Sequence, residues 1–217
     1  MRRYNRQRTR MINTQLTGRG ISNERVLKTM ATVPRHLFVD ESLQDQAYSD
    51  SPLPIGSRQT ISQPYIVALM TESLGLKGTE KVLEIGTGCG YQTAILAGLA
   101  ERVFSIERIA SLAFRAQRTL DSLHYYNILI RVGDGTYGWS EEAPFDAIIT
   151  TAGSPKIPET LTGQLAVGGK LIIPVGDRSS QTLVKVTRLS EEPGDLRTED
   201  ICGCRFVALI GEHGWKD

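Results

Sequence analysis

The chain has 217 residues, 40% hydrophobic and 23% charged, a balance that excludes wholesale disorder and allows a core without disulfide or metal staples. Lys+Arg (25) and Asp+Glu (24) nearly cancel, so no global field steers the chain to nucleic acid or to an anionic membrane. No apolar run approaches the roughly 18 residues of a membrane span, and a typical domain of about 150 residues leads us to expect one domain.

The first ten residues, MRRYNRQRTR, hold five arginines and no acid, a locally dense patch that could attract anions. No apolar stretch follows, so no secretory signal is expected. Residues 11–17 and 23–33 read as two helices, the second capped by Ser22 or Asn23 and ended by Pro34. SDSPLPIGSRQTISQPY (49–65) is rich in proline and without periodicity, a pattern that marks a functional loop or disorder. Pro64 then opens a helix to Leu74.

From Lys81 onward, short Val- and Ile-rich runs alternate with helical stretches. KVLEI (81–85), RVFSI (102–106), ILIRV (128–132), FDAIIT (145–150) and KLIIPV (170–175) read as buried strands. Helices are expected over 91–100, 108–123 and 158–165. Such alternation predicts a doubly wound α/β fold, with a mainly parallel sheet covered on both faces. TLVKVTRL (182–189) and RFVALI (205–210), around the polar turn EEPGD, are expected to close the chain as a hairpin.

Cys89, Cys202 and Cys204 are an odd number without zinc-ligand spacing, which reads as reduced thiols in a reducing compartment, by default the cytoplasm. His36, His124 and His213 share no motif, so no metal is expected.

Chemistry concentrates at Leu83-Glu84-Ile85-Gly86-Thr87-Gly88-Cys89-Gly90, between the first core strand and a helix. Glycines there permit a tight turn and close ligand approach, and a helix N-terminus presents unpaired N–H groups. The spacing is G-x-G-x-G rather than the G-x-G-x-x-G of dinucleotide binders. Glu107 ends the second strand 21 residues after Gly86, where α/β nucleoside sites place a carboxylate for ribose hydroxyls. No second phosphate-binding pattern occurs, so S-adenosylmethionine (SAM) fits better than NAD or FAD. Asp134, between Gly133 and Gly135, reads equally as an adenine contact or as a turn.

With these residues in place, the sequence strongly resembles the protein-L-isoaspartate O-methyltransferases over nearly its whole length. YSDSPLPIGSRQTISQPYIVALM (48–70) is the most specific match. RGISNERVLKTMATVPRHLFV, VLEIGTGCGYQTA, VGDGTYGW, APFDAIITTAG, GGKLIIPVG and RFVALIGEHGW follow the family's pattern in the same order. The resemblance implies a Rossmann-like methyltransferase with a seven-stranded sheet, an N-terminal helical extension with the active-site loop (1–77), a SAM-binding core (78–180) and C-terminal strands (181–217). It implies methyl transfer from SAM to the free α-carboxylate of L-isoaspartyl residues, and also to D-aspartyl residues, in damaged proteins, with repair through a succinimide and S-adenosylhomocysteine as by-product.

Carried over residue by residue, the resemblance makes Ser62 the catalytic position and Thr60, Ser62, Val207 and Leu209 substrate contacts. It places Gln59, Thr60, Ile61, Ser62, Glu84, Gly86, Gly88, Glu107, Asp134 and Gly135 at the cofactor. Ser62 has a second reading as the cap of the helix at Pro64. Arg35, Arg58 and Arg205 are candidates to attract the anionic substrate. Cys89, Gly153 and Ala208 depart from the family's usual serine, alanine and proline. Implied partners are isoaspartyl-containing proteins, without nucleic acid or membrane, and the default is a monomer. The alternatives are a SAM methyltransferase with an RNA or small-molecule acceptor, an NAD-dependent dehydrogenase and a non-enzymatic SAM- or nucleotide-binding module.

Overall fold

The computed structural model describes residues 2–216. Helix α1 (Arg2–Arg10) runs directly into a wider, π-helical turn at Met11–Leu16, whose Met11 and Leu16 are buried. In α2 (Glu24–Thr32) the Asn23 side chain caps the start by accepting from the Arg25 and Val26 N–H groups, and the chain turns extended at Val33 before Pro34. The proline-rich stretch is not structureless. It forms a small antiparallel hairpin, β1 (Leu53–Gly56) and β2 (Gln59–Ile61), turned by Ser57 and Arg58 at φ 51° and 57°. Two successive positive φ values suit the twist of a two-residue hairpin. Helix α3 (Pro64–Leu74) follows, with proline in its first turn and Gly75 in a left-handed cap.

The core then alternates β3 (Lys81–Ile85), α4 (Tyr91–Ala97), β4 (Arg102–Glu107), α5 (Ala110–Ser122) and β5 (Ile128–Val132). Next come β6 (Phe145–Thr150), the short α6 (Glu159–Thr162), β7 (Leu165–Gly176), β8 (Gln181–Arg188) and β9 (Leu196–Cys204). The sheet order is β5-β4-β3-β6-β7-β8-β9, parallel from β5 to β7 and antiparallel beyond. Both faces are covered. Val82, Val103 and Ala147 belong to the core cluster shared with Met70 and Leu96, whereas Leu83, Phe104 and Ile148 belong to the opposite cluster with Leu161 and Leu165. Each fully buried side chain of this kind contributes about 1.5–3 kcal/mol.

One expectation is corrected. The hairpin partner of β8 is Leu196–Cys204, not 205–210. LRTEDICGC alternates weakly and is half exposed because it is the sheet's edge. RFVALI is apolar for another reason: its middle packs across the strand ends. There a single bridge joins Ala208 to Gly153, the Gly153 N–H donating to Val207 O at 2.7 Å and the Leu209 N–H to Gly153 O at 2.8 Å.

The chain leaves β3 for β4 on one side and returns through β6 on the other. This reversal opens a crevice at the carboxyl ends of the strands, where α/β folds bind ligands.

Candidate active site

The cleft begins at the loop after β3. Gly86 has φ +98°, and a Cβ there would run into Thr151 Oγ1, which donates to the Gly86 carbonyl at 2.7 Å. The Gly86 N–H donates to Ile106 O at 2.8 Å, so the loop is tied to β4 on one side and to the end of β6 on the other. Gly88, at φ +56°, donates its N–H to Glu107 Oε2 at 2.8 Å. The other carboxylate oxygen of Glu107 accepts the Ile109 N–H at 2.9 Å. Each oxygen of a carboxylate has a second lone pair, so the buried Glu107 keeps acceptor capacity for a vicinal diol. Ile85, Ile106, Ile109 and Leu209 supply apolar wall, and Glu107 is the only carboxylate among the residues lining the cleft.

Gly86, Gly88, Glu107 and Gly135 all line this cleft. At Gly135 a Cβ would collide with Ile85 Cγ2, so close packing excludes a side chain.

Two expected cofactor contacts are not among the residues lining the cleft. Asp134 is not part of the cleft wall. Its Oδ1 accepts from the Thr136 N–H and hydroxyl at 2.8 and 2.7 Å, and its Oδ2 from the Glu212 N–H at 2.8 Å. Burial alone would raise its pKa, but these hydrogen bonds outweigh it and hold the carboxyl below its usual range. Asp134 therefore caps a turn and pins the C-terminal segment. Glu84 is fully buried beneath the loop, with Oε2 accepting from the Thr93 and Ser105 hydroxyls and Oε1 without a partner among the described residues. Burial pushes its pKa to about 8, with the two hydroxyls opposing. Ser105 in turn shares a hydrogen bond of 2.6 Å with Thr87, so Glu84 supports the loop from behind rather than reaching into the cleft.

The opposite wall comes from the ends of the chain. Gln59, Thr60, Ile61 and Ser62 enter from β2, and Phe206 to Ile210 from the C-terminal segment. Thr60, Ser62, Thr151, Phe206 and Val207 also line an adjoining cavity with Arg19 and Arg205, so the two cavities share this wall. Ser62 is not the helix cap; that position is Gln63. The Ser62 hydroxyl makes no hydrogen bond among the described residues. Leu209 is 5% exposed and belongs mostly to the core, whereas Val207 faces both cavities.

The three arginines separate. Arg205 lines the adjoining cavity, Arg58 stands exposed in the hairpin turn and Arg35 is fully buried. Cys89 lines the cleft as a protonated thiol, its pKa pushed by burial to about 11. Thr151 escaped the sequence reading, although a threonine just past an apolar strand at the carboxyl edge was a usable signal. Among the described residues no cluster of three metal-ligating side chains occurs, and no helix is long and apolar enough to cross a membrane.

This sheet, with its glycine loop bonded to a carboxylate on the neighbouring strand, places the chain in the Rossmann-like class of SAM-dependent methyltransferases. One solved structure of that class, a protein-L-isoaspartate O-methyltransferase, superposes with TM-score 0.83 at 28% identity, covering 95% of this chain and 67% of the other. Another, from Plasmodium falciparum and described as a putative protein-L-isoaspartate O-methyltransferase in complex with S-adenosyl-L-homocysteine, gives 0.80 at 26% identity and covers 94% and 98%. Among curated relatives, the protein-L-isoaspartate O-methyltransferase of Syntrophus aciditrophicus is 66% identical over 100% of this chain and 99% of its own. The protein-L-isoaspartate O-methyltransferase 1 of Syntrophobacter fumaroxidans is 61% identical over 98% of each. The model of the protein-L-isoaspartate(D-aspartate) O-methyltransferase family matches residues 6–214, and the chain belongs to that family.

Proposed function

We propose that the cleft aligns SAM with the free α-carboxylate of an L-isoaspartyl residue, or with the side-chain carboxylate of a D-aspartyl residue, and that Ser62 orients the acceptor. The following backbone nitrogen then attacks the resulting methyl ester and expels methanol to form a succinimide, which water opens partly to normal aspartate. The observation that carries this reading is the position of Thr60 and Ser62, which line both the nucleoside cleft and the adjoining cavity.

SAM, when bound, supplies an electrophilic methyl group with its own leaving group. The chain's residues have the rest to do. An α-carboxylate with a reference pKa of about 3.3–3.7 is already ionised at neutral pH, so no general base is required. Glu107, fixed by the Gly88 and Ile109 N–H groups, holds the nucleoside end, and the glycines let that end approach the loop. The Ser62 hydroxyl, free of other partners, donates to one acceptor oxygen and so decides which oxygen faces the methyl group. Orientation of this kind supplies about 7–11 kcal/mol of rate enhancement. Apolar contacts from Ile61, Val207 and Leu209 keep water from the reacting line.

The cleft draws on all three stretches, 1–77, 78–180 and 181–217, which supports a single methyltransferase domain. Three cysteines outside any disulfide support a reducing, cytoplasmic setting. A near-neutral net charge supports protein rather than nucleic acid as acceptor.

The test is transfer of labelled methyl from SAM to two synthetic peptides that differ only in isoaspartyl or normal aspartyl linkage. Base-labile label is expected on the isoaspartyl peptide alone. Label on neither peptide, with SAM still bound, would remove the repair reading and leave fold and cofactor standing.

A further inference from the structure

The largest fully buried side chain is charged. Arg35 begins the short turn Arg35–Phe38 and has no measurable exposure. Its Nε donates to Ala47 O at 2.6 Å and its Nη2 to Ser62 O at 2.7 Å. Nη1 and the hydroxyl of Tyr91 each lack a hydrogen bond of good geometry among the described residues; the two groups face each other closely enough to interact, and the Tyr91 ring lies 4.7 Å beneath the guanidinium. No carboxylate pairs with Arg35 among the described residues. The polar groups that face it are Tyr91, Cys89 and Tyr48. Burial pushes the first to about 12 and the second to about 11, and raises Tyr48 as well, so none supplies a negative charge at neutral pH.

An arginine cannot shed its charge in a protein, and burying an unpaired one is costly. An apolar side chain of similar length would fill the space without that cost. The position of the charge gives the reason to keep it. Arg35 does not line the cleft, yet the two residues it touches there, Ser62 and Tyr91, both do. The acceptor expected beside Ser62 is a carboxylate, the counter-charge that this guanidinium lacks.

We propose that Arg35 is a positioning residue for methyl transfer, which holds the Ser62 main chain from behind and sets its buried cation one peptide group from the acceptor carboxylate. This rests on the reading of Ser62 as the acceptor-orienting group. The planar fork bonds two carbonyls 15 residues apart, Ala47 and Ser62, and so joins the start of the active-site segment to its working end. A lysine keeps the charge as a point donor but cannot reproduce that fork.

The experiment measures kcat and KM for an isoaspartyl peptide, SAM affinity and thermal midpoint in Arg35→Lys, Arg35→Met, Ser62→Ala and the Arg35→Lys/Ser62→Ala double variant. Arg35→Met is expected to lower peptide kcat/KM by at least about thirtyfold with SAM affinity within about threefold. Arg35→Lys is expected to restore KM but leave kcat down by about fivefold or more, because charge returns and alignment does not. In the Ser62→Ala background the same lysine is expected to cost less than about twofold, since the main-chain bond remains but the hydroxyl it aligns is gone. Should Arg35→Met fail to fold, the lysine series decides alone.

The proposal is overturned if Arg35→Lys leaves kcat unchanged, if SAM affinity falls as far as kcat, or if the lysine costs the same with serine or alanine at position 62. A Ser62→Ala enzyme with full turnover would take down both the Ser62 reading and this one. A slow Ser62→Ala enzyme beside a normal Arg35→Lys enzyme would take down this one alone.

Discussion

The two walls of the cleft are built on different principles. On the cofactor side, the loop after β3 and Glu107 at the end of β4 sit on adjacent parallel strands in register, Ile85 opposite Ile106. The sheet brings them together, and short hydrogen bonds from Gly86, Gly88 and Ile109 complete the arrangement. On the acceptor side no ladder of the main sheet does this work. The β1–β2 hairpin is held by side chains from afar, Arg115 donating to Ile55 O and Arg35 to Ser62 O. The 205–210 segment hangs on Gly153 and on Gln181, whose Oε1 accepts the Phe206 N–H at 2.7 Å. Damage on the first wall should therefore appear as lost SAM affinity. Damage on the second should appear as lost turnover with SAM still bound.

The largest effect expected is at the join of loop and carboxylate. Glu107→Ala strands the Gly88 and Ile109 N–H groups and removes the proposed diol acceptor. A loss of about 3 kcal/mol in SAM binding, on the order of a hundredfold in Kd, follows from hydrogen bonds to a charged group. Calorimetric titration checks it. Unchanged affinity would mean that the loop geometry is set without the acid.

Glu84 offers a second probe of the same wall, through pH. Its carboxyl rises from an ordinary 4.5 to about 8 in the folded state. Between those values the folded chain keeps a proton that the unfolded chain has released, so stability falls as pH rises through that window. The slope is about 1.4 kcal/mol per pH unit for one such group, or about 2 kcal/mol between roughly pH 6 and 7.5. Urea unfolding of the wild type should show this decline, and Glu84→Gln should flatten it. A wild type equally stable at both ends would show that Glu84 ionises freely.

On the acceptor wall the expected effect is smaller and of another kind. Ser62→Ala should slow methyl transfer by at least about tenfold, or 1.4 kcal/mol, while SAM affinity persists. Single-turnover kinetics beside a binding titration separate the two. A loss of SAM affinity in step with rate would erase the distinction between the walls.

The same contrast explains what the sequence revealed. Strands β3, β4 and β6 were legible because apolar runs covered on both faces leave a continuous Val and Ile signal, and the glycine loop and Glu107 follow from their place at strand ends. Asp134 and Glu84 stood out because their residue type suits a cofactor; the structure adds the partners Thr136, Glu212, Thr93 and Ser105, which spacing alone cannot pair. RFVALI misled because an apolar lining segment and a buried strand look alike over six residues. The stretch 49–65 stood out for its prolines, but the roles of 59–62 came only through resemblance. Nothing in its local pattern announces a hairpin whose turn is made by Ser57 and Arg58 instead of glycine.

The smallest effects concern two departures from the family pattern, and they point in opposite directions although Gly153 and Ala208 face each other across one bridge. A Cβ at Gly153 would lie 3.0 Å from Gln181 Cδ, the group that holds the Phe206 N–H. Gly153→Ala should therefore cost about 1 kcal/mol of stability as Gln181 is pushed off its partner. At position 208 the bridge is made by the Val207 carbonyl and the Leu209 N–H, while the Ala208 N–H donates to no backbone acceptor among the described residues. Ala208→Pro thus removes no bond, and its effect on the unfolded chain is worth only about 0.4–1 kcal/mol in favour of the fold. Thermal unfolding of the two single variants and of the pair checks both signs. If proline proves the more harmful, the C-terminal segment depends on a backbone conformation at 208 that the bridge does not impose. If alanine at 153 is harmless, Gln181 has room to move, and the acceptor wall is less tightly clamped than its hydrogen bonds imply.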